Sequence, residues 1–83
     1  MQAIILAAGR GRRLRPLTDN IPKCLLEVGG RSILYRQLAA LEKHGVRDIT
    51  IVIGFMADTV KERANNYFPE LHYTFVENAA FDA

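Results

Sequence analysis

The first eight residues constrain the fold of this chain most. Met1 to Ala8 is apolar apart from Gln2, and the run breaks at Gly9, with Gly11 following two residues later. A strand that is apolar on both faces belongs in the middle of a covered parallel sheet. A glycine-rich exit from its carboxyl end lets backbone N–H groups approach an anion, because no Cβ stands in the way. Such a strand needs partners, and the remaining residues supply them.

Ser32 reads as the N-cap of a helix on which Ile33, Leu34, Leu38 and Leu41 recur, closed by Gly45 after His44. Asp48 to Ile53 is a second strand, rich in β-branched residues. Ala57, Val60, Ala64 and Tyr67/Phe68 mark a second helix, which Pro69 stops, and Leu71 to Val76 is a third strand. The order is β-α-β-α-β. Right-handed crossovers then predict a Rossmann-like, three-layer α/β unit with helices on the faces of a parallel sheet in the order 3-2-1. This places the first strand at an edge, although it carries no Pro, Lys or bulge signal to protect one. A missing neighbour is the expectation, filled by a second copy or a complementing fragment, so that the chain forms a homo-oligomer or joins its remainder through that edge.

Charge is concentrated in one place. Of eleven Lys and Arg, four fall within residues 10–15, which leaves seven against nine Asp and Glu elsewhere. A local positive field suits a phosphate pocket, whereas a nucleic-acid surface spreads its basic residues over a face. No apolar run approaches the roughly 18–20 residues of a membrane helix, and no positive region precedes Ile4 as in a signal peptide. Neither nucleic acid nor membrane is therefore an expected partner. One cysteine, Cys24, excludes an internal disulfide and fits a reducing, cytoplasmic setting.

Arg13 and Lys23 stand in register with the glycines: Gly9-x-Gly11-x-Arg13-Leu14-x-Pro16-x-Thr18, then Pro22-Lys23. Arg offers a planar fork and Lys a point charge to neighbouring phosphate groups. No Gly-Lys-Ser/Thr is present, so this is not the P-loop of ATPases. There is no third glycine at dinucleotide spacing, and the second strand ends Ile53-Gly54-Phe55 with no acid for a ribose.

These residues resemble the signature of the sugar nucleotidyltransferase superfamily, enzymes that join a nucleoside triphosphate to a phosphorylated sugar or alcohol and release pyrophosphate. The likeness continues through Leu25–Leu34, His44-Gly45-Val46 and Ile49–Phe55, and there it is closest to the bacterial branch that activates phosphocholine with CTP. Uridylyl- and thymidylyltransferases of sugar 1-phosphates are also similar. Most members carry Thr where this chain has Arg12. The resemblance implies a nucleotide-diphospho-sugar transferase fold, of which residues 1–83 are the N-terminal, nucleotide-binding part, truncated before the metal-binding half. It implies that Arg13 binds the β/γ-phosphates and that Lys23 contacts the α-phosphate and the incoming phosphate. The backbone of Leu6, Ala7, Ala8, Gly9, Arg10, Gly11 and Arg12 would cradle the nucleotide. It also implies Mg²⁺, with aspartate ligands outside these residues, so that this stretch alone would be inactive.

Competing readings are plainer. Arg10, Arg12 and Arg15 can serve solubility, Pro16 and Pro22 can stiffen the loop, and Asp19 can be a turn residue rather than a metal ligand. Cys24 reads as a buried small hydrophobe and His44 as a helix-end cation. Gly54, Phe55, Glu77 and Asn78, at the carboxyl ends of the second and third strands, are second-rank site residues. The alternative functions are a non-catalytic nucleotide- or anion-binding module and an RNA-binding protein using Arg10–Arg15. The second is weakened by the scarcity of aromatics and the acidic remainder.

Overall fold

A computed structural model of the protein describes residues 2–8 and 21–78. Three parallel strands, β1 (Gln2–Leu6), β4 (Asp48–Ile53) and β5 (His72–Glu77), form a sheet in the order β1-β4-β5. Pairing is in direct register, Gln2 with Asp48 and Leu6 with Val52 on one side of β4, Asp48 with His72 and Ile53 with Glu77 on the other. The expected α/β class, parallel sheet and strand order are all present, with the first strand at an edge.

A 3-10 turn (Lys23–Leu25) and a two-residue-per-strand hairpin, β2 (Glu27–Val28) with β3 (Arg31–Ser32), precede helix α1 (Ile33–Lys43). The hairpin turns on Gly29 and Gly30, at φ 65° and 84°. Two successive left-handed residues match the twist of the flanking strands, and only glycine adopts them without strain. Arg36 of α1 donates to the carbonyls of Val28 and Gly29 and holds the turn against the helix.

α1 begins where Ser32 Oγ accepts the Tyr35 N–H at 3.1 Å. It ends in a Schellman motif, in which Gly45 N–H donates to Glu42 O at 3.0 Å and Val46 N–H to Leu41 O at 2.9 Å. Gly45 makes this possible with φ 78°. Helix α2 (Ala57–Tyr67) starts from Met56 in the left-handed region (φ 55°, ψ 46°) and buries Val60 and Ala64. The Tyr73 hydroxyl of β5 closes its far end, shared between the carbonyls of Ala64 (2.9 Å) and Phe68 (2.8 Å).

The core lies on one side of the sheet. Ile5, Ile49, Ile51 and Ile53 meet Leu34 and Leu38 of α1 and Val60 and Ala64 of α2. Here the expectation of helices on both faces is corrected: among the described residues both helices cover the same face. The chain steps in one direction across the sheet, β1 to β4 to β5, and successive right-handed crossovers in one direction deliver their helices to one side. The opposite face carries the rows Ile4–Thr50–Thr74 and Leu6–Val52–Val76. Ile4, Leu6 and Val76 are 70%, 81% and 47% exposed there. None of the described helices is long and apolar enough to cross a membrane.

Burial first, and then the negative charge of Glu70, push the Tyr73 hydroxyl from 10.0 up to about 12. The folded state thus favours the protonated phenol, which donates to the end of α2. That stabilisation is full below pH 10 and is lost as pH rises through about 12. Tyr73→Phe is expected to lower stability at pH 7 by about 1 kcal/mol, seen as an earlier urea midpoint. Between pH 10 and 12 the gap between the two proteins should narrow. A constant gap across that window would remove Tyr73 ionisation as a cause of alkaline destabilisation.

Candidate nucleotide-binding site

The site grows from the carboxyl end of β1. Beyond Leu6 the chain stays paired for one more residue, with Ala7 N–H donating to Val52 O at 2.8 Å. Ala7 and Ala8 are both buried. Their small side chains let the backbone turn tightly over the end of the sheet. Phe55 N–H faces Ala8 O at 3.5 Å, and Asn78 N–H donates to Ile53 O at 2.7 Å, so the three strand ends form one rim. In open α/β sheets ligands bind outside that rim.

Pro22 to Leu26 returns to the rim as a 3-10 turn. Leu25 N–H donates to Pro22 O at 2.9 Å and Leu26 N–H to Lys23 O at 3.1 Å. Cys24 and Leu25 are buried on its inner side, which leaves Lys23 exposed on the outer one. The turn therefore works as an anchor: two buried side chains fix the backbone from which the ammonium group reaches out. Burial pushes the Cys24 thiol from 9.0 up to about 11, only partly opposed by a backbone hydrogen bond. It is a packed hydrophobe rather than a reactive thiolate, as its sequence neighbours suggest.

Between these two segments lies a cavity of 220 Å³ lined by Leu6, Ala7, Lys23, Cys24, Ile33 and Gln37. Three sequence-predicted residues, Leu6, Ala7 and Lys23, thus meet around one space, and Ala8 lies next in the chain. Gly9, Arg10, Gly11, Arg12, Arg13, Arg15, Pro16, Thr18 and Asp19 lie outside the described residues. Among the described residues Lys23 is in no ion pair with a carboxylate.

Ile33 and Gln37 line the cavity without having been singled out as site residues. They sit four apart on α1, so both look to one side. With the helix start fixed at Ser32, the polar Gln37 above Ile33 was a readable sign that this side meets more than core. Of the second-rank residues, Gly54 and Phe55 are half-buried at the rim. Glu77 reaches Lys61 across solvent at 3.9 Å, a weak contact. His44 closes α1, and its backbone N–H donates back to the carbonyls of Ala40 and Leu41. No group of three His, Cys, Asp or Glu among the described residues could hold a metal ion. The described residues therefore do not fit a Mg²⁺ site.

Comparison with known proteins agrees with this geometry. Residues 3–83 match the family model of the MobA-like NTP transferase domain. The chain is 39% identical over 82 residues to CTP:phosphoglutamine cytidylyltransferase of Campylobacter jejuni, covering 99% of this chain and 31% of that protein. It is 39% identical over 70 residues to mannose-1-phosphate guanyltransferase of Saccharomyces cerevisiae, covering 84% of this chain and 19% of that one. The crystal structure of CTP:phosphocholine cytidylyltransferase from Streptococcus pneumoniae superposes with a TM-score of 0.79 at 37% identity. That match covers 98% of this chain and 34% of that structure. The chain therefore spans about a third, or less, of the length of these relatives, which transfer different nucleotides to different phosphate-bearing acceptors. With an exposed lysine lining a cavity at the rim of a parallel sheet and a family match over residues 3–83, the chain belongs to the MobA-like NTP transferase family.

Proposed function

We propose that these residues form the nucleotide-binding part of a nucleotidyltransferase that joins CTP to a phosphorylated alcohol such as phosphocholine and releases pyrophosphate. UTP or dTTP with a sugar 1-phosphate is the neighbouring possibility within the same chemistry. One observation carries the reading: Lys23 and the end of β1, Leu6 and Ala7, line a single cavity at the carboxyl rim of the sheet. The preference for CTP draws on the cytidylyltransferases among the relatives.

In this reaction an acceptor phosphate oxygen attacks the α-phosphorus in line. A new P–O bond forms as the bond to the β-phosphate bridging oxygen breaks, and pyrophosphate departs with the electron pair. The attacking phosphate is already ionised, so no general base is required. The protein's task is to place two anions together and to offset the charge that builds between them. A lysine suits this task, because its compact ammonium on a flexible stem can follow both phosphates through the displacement. The buried Cys24-Leu25 pair fixes the base of that stem. Arg13, in the sequence motif that follows Ala8, is assigned to the departing pyrophosphate.

Two measurements test the reading. The purified chain should bind CTP, and Lys23→Ala should weaken binding about tenfold, as loss of one charge-assisted contact does. Residues 1–83 exchanged into the S. pneumoniae cytidylyltransferase should support pyrophosphate release, and Lys23→Ala in that chimera should lower turnover about a hundredfold, roughly 3 kcal/mol. Undiminished turnover in the mutant chimera would take Lys23 out of the mechanism. CTP binding by the chain with no turnover in the chimera would favour a non-catalytic nucleotide-binding module.

A further inference from the structure

A second cavity, of 130 Å³, lies between the hairpin and the two helices and shares no lining residue with the first. Its charged side chains come from three elements: Glu27 of β2, Arg31 of β3 and Arg63 of α2. Arg31 is already placed, because its guanidinium lies 4.6 Å from the centre of the Tyr35 ring. Tyr35 in turn meets the Tyr67 ring edge-on at 5.2 Å. These contacts give the cavity a fixed aromatic floor.

A hydroxyl relay supplies a third donor. Ser32 Oγ, only 3% exposed, accepts the Tyr35 N–H and lies 3.0 Å from the Tyr67 hydroxyl. The Ser32 oxygen keeps a second lone pair, so either hydroxyl can donate in this pair. With Ser32 as the donor, the Tyr67 O–H is free to point into the cavity that Tyr67 lines. Neither Arg31 nor Arg63 forms an ion pair with a described carboxylate. Two guanidinium groups against one carboxylate leave the cavity positive. Arg36, the neighbouring arginine, differs: it is committed to the hairpin carbonyls.

We propose that this cavity is a second anion site that binds a phosphate group through Arg31, Arg63 and the Tyr67 hydroxyl. The guanidinium forks match the oxygens of a phosphate, and a space of 130 Å³ admits one with accompanying water. Glu27 opposes the anion from the wall and keeps the site weak. Occupancy therefore follows phosphate concentration, and bound phosphate ties the hairpin to the end of α2.

Titration of the ¹⁵N-labelled chain with inorganic phosphate and, separately, with glycerol 3-phosphate tests this residue by residue. Saturating shifts are expected at Arg31, Ser32 and Tyr67, read separately from any at Leu6, Ala7 and Lys23. Arg63 is exposed, so Arg63→Gln leaves the core untouched. It should weaken binding at this site about tenfold, and Glu27→Gln should strengthen it about threefold. Equal affinity for the two probes would identify the phosphate group alone as the ligand; tighter binding of the ester would add its alcohol portion. Shifts that rise linearly without saturation, or an unchanged affinity in Arg63→Gln, would overturn the proposal.

Discussion

The central strand β4 is the constraint on which the rest of the molecule depends. It pairs with β1 on one side and β5 on the other, and its alternate residues Ile49, Ile51 and Ile53 are fully covered. Both helices pack over that one row. Two crossovers in the same direction leave no choice of face, so a single stripe of isoleucines gathers nearly all the buried apolar surface. The arrangement also aligns the carboxyl ends of the three strands, and that alignment creates the rim where Phe55 pairs with Ala8 and Asn78 with Ile53.

Lys23 shows how the same economy extends to function. The residues that hold its backbone, Cys24 and Leu25, belong to the hydrophobic core rather than to any polar network. A fixed backbone leaves only the flexible side chain to move, so the ammonium group ranges over the mouth of one cavity. The family match and the cavity therefore rest on a common cause. The motif Pro22-Lys23 is short because the turn needs only one fixed φ and two buried neighbours to aim one side chain.

Much of this was legible in the sequence. The β-branched run at Asp48–Ile53, the Ser32 cap and the Gly45 stop each act through local physics, and each stands where the chain predicts it. The hairpin at Glu27–Ser32 was not legible as strands, because two residues per strand carry no periodicity. Its Gly29-Gly30 pair was the available sign. One-sided covering of the sheet follows from the expected strand order and right-handed crossovers, a step that the expectation of helices on both faces did not take. Gln37 was legible only in part: its spacing from Ile33 marks one side of α1, but only the packing of α1 turns that side toward a cavity. The arginines of residues 10–15 lie outside the described residues, so their part in the site rests on the sequence alone.

Leu6 belongs to two surfaces at once. It walls the cavity beside Lys23, and it is the most exposed of the large apolar residues on the uncovered face of the sheet. Any layer laid over that face leans on a residue that shapes the cavity beside Lys23. Closure of the sheet and dimensions of the cavity are thus mechanically linked through one side chain. A change on the back of the sheet that moves Leu6 reshapes the cavity beside Lys23 without altering Lys23 itself.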